Sequence, residues 1–103
     1  MKALFLGLGM TAAVVSGSAM ADLALAKKSG CLACHSVEKK IVGPAWKDVG
    51  AKYAGDASAK AKLVAKVKSG GKGVWGPAPM PPYSPRVSDA NIEKLVDFVL
   101  SLK

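Results

Sequence analysis

Residues 30–35 read Gly30-Cys31-Leu32-Ala33-Cys34-His35. Within them lies C-x-x-C-H, the spacing that attaches a c-type haem. Two Cys three positions apart lie on one side of a helical turn. Each thiol can then add to one of the two vinyl groups of a single porphyrin. His35 follows at once, with its imidazole placed to reach the iron. Other readings of these residues fit less well. A structural zinc site takes four N or S ligands, and the chain has two Cys and one His. A thioredoxin-like C-x-x-C belongs in a βαβ unit, and no alternating apolar run flanks this one. A disulfide across so short a gap would be strained and would leave His35 without a role.

N-terminal to this motif, Lys2 is followed by an apolar run from Ala3 to Val15 and then by Ala19-Met20-Ala21, an A-x-A cleavage signal. The expectation is a cleavable secretory signal peptide over 1–21 and one domain over 22–103, placed in the periplasm of a Gram-negative cell. An uncleaved anchor is the competing reading, since Ala3 to Ala21 carries no charge and is just long enough to span a bilayer. Small residues and the cleavage signal favour removal, and no stable membrane insertion is expected afterwards. What remains is enough for one small domain. At that size a core alone is marginal, and a buried porphyrin would give side chains an apolar centre to pack around.

The whole chain carries a formal charge of +8, and loss of Lys2 lowers it by one. A basic balance suits nucleic acid, anionic membranes or acidic proteins. The lysines are spread along the chain and no nucleic-acid motif is present, so acidic protein partners are expected and nucleic acid is not.

Asp22 to Ser29 reads as a short helix with Leu23, Leu25 and Ala26 as its apolar contacts. Glu38 to Pro44 reads as loop, and Ala45 to Tyr53 as a second helix. A third, capped by Asp56 or Ser58, runs to about Lys68, with Leu63 and Val67 on one face and Lys62 and Lys66 on another. More than half of residues 70–85 are Gly or Pro, which excludes a regular helix or central strand. Val74, Trp75, Met80 and Tyr83 are poor linker residues, so this segment reads as an ordered loop over something apolar. Ser88 caps the last helix. Its Ile92, Leu95, Val96, Val99 and Leu100 follow the amphipathic period.

The second axial position decides the chemistry of such an iron. An open site favours ligand binding or catalysis, and a second protein ligand favours electron transfer. The chain has no second His. Of its four Met, three lie in the leader, leaving Met80 between Pro79 and Pro81. As the other axial ligand, a thioether favours the ferrous state relative to a His–His pair. The plainer reading of Met80 is a core gap-filler.

Gly-Cys-Leu-Ala-Cys-His (30–35), Val-Gly-Pro-Ala (42–45) and Gly-Val-Trp-Gly-Pro-Ala-Pro-Met-Pro-Pro (73–82) together resemble the small bacterial class I cytochromes c of the c-551/c-552 type. The resemblance spans residues 22–103. It implies an all-α fold, about four short helices wrapped around one covalent haem c, with His35 and Met80 as axial ligands and Cys31 and Cys34 as attachment points. It implies a monomeric carrier of single electrons, not an enzyme. Partners implied by the family are nitrite reductase, a terminal oxidase or peroxidase, and a bc1-type donor, in denitrification or oxygen respiration. Pro44 matches the proline whose carbonyl accepts a hydrogen bond from the ligating His, and Trp75 the Trp that bonds a haem propionate. Lys66 falls where some relatives place a propionate-pairing Arg, and would act there as a point charge.

By the same resemblance Leu32, Ala33, Ile41, Val42, Ala78, Pro81 and Pro82 form an apolar docking patch, with Lys27, Lys28, Lys39, Lys40 and Lys72 around it. One departure stands out. Relatives often have Asn after Met-Pro-Pro, able to bond the Met sulfur, and this chain has Tyr83. Two other classes compete with the carrier. A haem enzyme needs an open sixth position and a distal acid–base group, and a ligand-binding sensor needs a displaceable Met80 and an output domain.

Overall fold

The computed structural model describes residues 19–102. The expected leader falls mainly on residues 1–18, outside the described part. In chain order the helices are α1 (19–28), α2 (Trp46–Lys52), α3 (Ala59–Ser69) and α4 (Asp89–Ser101), with a 3-10 turn at Cys31–Ala33. Among the described residues there is no β-strand, only two isolated bridges, His35 with Lys40 and Gly71 with Met80. The expected all-α class therefore holds. No helix among the described residues is long and apolar enough to cross a membrane.

α4 shows how directly a sequence pattern becomes packing. The Ser88 hydroxyl accepts the Asn91 N–H at 3.2 Å, satisfying one of the free donors at the helix start. The helix then packs against both α2 and α3. Leu95, Phe98 and Val99 join Ala26, Trp46 and Val49 in one core cluster. Ile92 and Val96 join Tyr83 and Val87 in a second. Burying each of the larger side chains contributes about 1.5–3 kcal/mol, so α4 is the common wall of the molecule. On its outer side it is tied to α3 by Lys60 with Asp97 at 3.2 Å and Lys68 with Asp89 at 3.2 Å. These pairs are solvent-exposed and each contributes little.

Three expectations shift. α1 is already helical at residue 19, so the Ala19-Met20-Ala21 signal lies within it. Leu23 is exposed while Ala26 is fully buried, in one cluster with Trp46 and Leu95. At α3 neither expected cap bonds the helix N–H groups directly. Instead the Asp56 carboxylate accepts the Ser58 N–H at 2.9 Å and its hydroxyl at 2.7 Å, forming a turn just ahead of the helix.

α2 comes so close to the C-terminal end of α4 that only glycine fits at position 50. A Cβ there would run into the Leu102 carbonyl oxygen and lie 2.8 Å from that of Val99. This close approach brings Trp46 and Val49 onto α4, and with them the segment carrying Cys31 to His35.

Candidate haem site

Cys31 opens the 3-10 turn, with Gly30 ahead of it in the left-handed region at φ 86°. A residue with a Cβ is strained there, so glycine allows the sharp exit from α1. The Cys34 and His35 N–H groups both donate to the Cys31 carbonyl, at 3.2 and 3.0 Å. This winding puts the two sulfurs and the imidazole along one wall. Burial pushes the Cys31 thiol above its ordinary value, against the opposing effects of its backbone hydrogen bond and the Arg86 charge. Cys31 and Cys34 are both half-buried and form no disulfide with each other.

His35 is held on several sides. Its Nδ1 lies 2.9 Å from the Pro44 carbonyl oxygen. A carbonyl can only accept, so Nδ1 carries the proton and Nε2 keeps its lone pair. The imidazole stacks on Trp46, with centroids 5.6 Å apart and planes 25° apart. Trp46 in turn meets Phe98 edge-on. Gly43 completes the fit, because a Cβ there would lie 2.5 Å from the His35 Cε1. Two backbone bonds lock the surrounding loop: Gly43 N–H to Cys34 at 2.8 Å, and Trp46 N–H to Ser36 at 2.9 Å.

Met80 arrives from a different part of the chain. Gly71 and Met80 exchange both backbone hydrogen bonds, at 3.0 and 2.8 Å, closing residues 71–80 into a loop. Gly70 lies against it, since a Cβ there would be 2.5 Å from the Met80 carbonyl oxygen. The Met80 side chain packs against the cluster of Tyr83, Val87, Ile92 and Val96.

All seven residues singled out from the sequence — Cys31, Cys34, His35, Pro44, Lys66, Trp75 and Met80 — line a single cavity of about 300 Å³. Apolar side chains from α2, α3 and α4 make up most of its wall, among them Val49, Leu63, Val67, Leu95 and Val99. Lys62 and Lys66 line the cavity together with Leu63 and Val67, so the two faces expected of α3 merge into one arc. A Cβ on Gly71 would lie 2.6 Å from the Lys66 Nζ, and the Lys52 Nζ stands 5.7 Å from the Trp75 ring centroid. An apolar chamber with two thiols, an oriented imidazole, a thioether and lysines suits a flat apolar macrocycle with acidic substituents.

Some of the site lay beyond the sequence reading. No sequence signal marks Trp46, Gly43 or Lys62 as a site residue, although Gly43 sits inside the Val-Gly-Pro-Ala motif. In the expected docking patch, Ala33, Ile41, Val42, Ala78, Pro81 and Pro82 are exposed, but Leu32 is half-buried against the first core cluster. Its side chain supports the turn rather than the surface. Lys27, Lys28, Lys39, Lys40 and Lys72 are exposed. Among the described residues the ion pairs engage other lysines: Lys47, Lys60, Lys62 and Lys68.

An all-α chain enclosing one chamber with this donor set is a small single-haem protein. The sequence model of the cytochrome c family matches residues 23–103. Cytochrome c-551 of Allochromatium vinosum is 58% identical over 95 residues, covering 92% of this chain and all of that one. Cytochrome c-552 of Nitrosomonas europaea is 51% identical, with both chains fully covered. The crystal structure of the Nitrosomonas europaea cytochrome c552 superposes with a TM-score of 0.75 at 53% identity, over 79% of this chain and 99% of that one. This chain belongs to the cytochrome c family, with the class I cytochrome c fold and one covalently bound haem c.

Proposed function

We propose that this protein is a soluble periplasmic carrier of single electrons rather than an enzyme, exported by its leader and working as a monomer. Cys31 and Cys34 would hold the haem through their sulfurs, and His35 and Met80 would hold its iron. The observation that carries this reading is the meeting of His35 and Met80, from two separate loops, on the same apolar cavity. When bound, the haem supplies reversible one-electron chemistry between ferric and ferrous iron.

The chain's own residues hold that chemistry in place. The Pro44 carbonyl fixes the His35 tautomer and makes the imidazole more basic. The thioether of Met80 would favour the reduced state and close the iron to a substrate. The packed apolar wall keeps water out, so little rearranges when the charge changes. Trp75 and Lys66, which line the same cavity, would meet the propionates. Lys27, Lys28, Lys39, Lys40 and Lys72 steer acidic partners such as a nitrite reductase, a terminal oxidase or peroxidase, or a bc1-type donor. A small apolar patch with a basic rim favours fast encounter and fast release.

Spectroscopy of the purified holoprotein tests the site. A low-spin ferric spectrum with the long-wavelength sulfur-to-iron band, and no carbon monoxide binding by the reduced protein at neutral pH, are expected. High-spin ferric haem would instead favour an enzyme or a ligand sensor. Steering is tested separately by stopped-flow oxidation with an acidic partner. The rate falls as salt rises, and a flat profile would remove the lysines from the docking role.

A further inference from the structure

Tyr83 stands where relatives often carry an Asn that bonds the Met sulfur, and its surroundings suggest a different device. Its ring is buried, 7% exposed, within the cluster against which Met80 packs, and it lines the haem cavity. Its backbone is anchored on both sides. The Tyr83 N–H donates to the Val67 carbonyl of α3 at 3.0 Å, and its own carbonyl accepts the Val87 N–H at 2.8 Å. The Arg86 guanidinium sits over the ring, 4.8 Å from its centroid. Among the described residues the Tyr83 hydroxyl makes no side-chain hydrogen bond, to Met80 or to any other group. Only Pro81 and Pro82 separate Tyr83 from Met80. Two consecutive prolines have fixed φ and no N–H, so the direction in which Met80 is delivered follows from where Tyr83 is pinned.

We propose that Tyr83, with Arg86 stacked on its ring, is a positioning residue for Met80: packing of the ring, not a hydrogen bond to sulfur, sets how firmly the sixth position stays closed. This rests on the reading of Met80 as an axial ligand. It makes closure a property of the strap 80–87, and Arg86 its outer weight.

An external ligand binds the ferric iron only when Met80 is off, so its apparent affinity scales with the open fraction. The test is a titration of the ferric holoprotein with imidazole, followed by loss of the sulfur-to-iron band. Arg86→Ala tightens apparent imidazole binding about threefold, the scale of one exposed cation–π contact. Tyr83→Leu tightens it about tenfold or more, through loss of ring packing and of the Arg86 contact together. Tyr83→Phe keeps the ring and stays within about twofold of the unsubstituted protein. Leu102→Ala, which loosens the other core cluster, leaves imidazole affinity unmoved and controls for general destabilisation. Tyr83→Phe behaving like Tyr83→Leu would return the role to the hydroxyl and overturn the proposal. So would unmoved affinity in both Arg86→Ala and Tyr83→Leu. An unsubstituted protein without the band overturns this proposal together with the Met80 reading; a normal band with unmoved affinities overturns this one alone.

Discussion

The two walls that present His35 and Met80 are built by different means. The His35 wall is short-range and crowded. A hydrogen bond to Pro44, a stack on Trp46 and the bare edge of Gly43 fix one ring from several directions. The Met80 wall is a glycine- and proline-rich loop closed by one pair of backbone bonds to Gly71, and its side chain is held by packing alone. Hydrogen bonds and stacking define direction, whereas packing defines mainly position. The His35 side is therefore the fixed jaw of the site, and the Met80 side is the one that yields.

Breaking each jaw gives the largest contrast. His35→Ala is expected to leave no stable low-spin holoprotein, read from the absorption spectrum after purification. Met80→Ala is expected to leave a folded haem protein whose reduced form binds carbon monoxide stoichiometrically. Carbon monoxide binding in neither variant would make the two walls equivalent.

A gentler pair separates the walls by mechanism. Gly43→Ala drives a methyl into the His35 ring and costs about 2–3 kcal/mol by overpacking. Gly73→Ala meets open space, but at φ 105° it is strained and costs about 1 kcal/mol. Denaturant midpoints of the two holoproteins measure the difference, and equal costs would show that the His35 ring has room to move. Away from both walls, Ser88→Ala removes the cap of α4 and costs about 1 kcal/mol. The Ser88 side chain is exposed and bonds only the Asn91 N–H, away from the ring packing that holds Met80, so that loss should leave the imidazole affinity of the ferric protein unchanged.

The smallest effect is acid-dependent. Hydrogen bonds from Ser58 hold the exposed Asp56 carboxyl below its ordinary value. Its ionised form is favoured by the fold, so its contribution is complete above the ordinary carboxylate range and is lost as pH falls through the folded value. Asp56→Ala should flatten the acid limb of a stability–pH curve. α3 supplies the Val67 and Lys68 carbonyls that anchor Tyr83 and Ser84, so any change in the ferric spectrum should come through Met80 rather than His35.

Much of this was legible in the residues. The Cys31–His35 spacing, the single Met80 outside the expected leader and the period of α4 are local signals, and each lies where its pattern pointed. α1 was less legible. Its pattern offers Leu23 as a contact, but it is Ala26 that is buried with Trp46 and Leu95, and the pattern does not say which face the tertiary packing covers. The merging of Lys62 and Lys66 with Leu63 and Val67 also escaped the helical period, because the cavity wall spans a wider arc than one face of α3.

What the sequence by itself determined is the chemistry: two thiols and an imidazole at haem-attachment spacing, one thioether in a stiff loop, and a basic surface. These depend on residue type and short spacing, which a linear chain states openly. What only the tertiary structure decided is how the groups are held. Gly43 against His35, Trp46 beneath the imidazole, Gly50 against Leu102, and Tyr83 pinned to Val67 are contacts between segments far apart in the chain or lying edge to edge. They follow from the distances at which helices and loops pack, and no spacing along the chain encodes those distances.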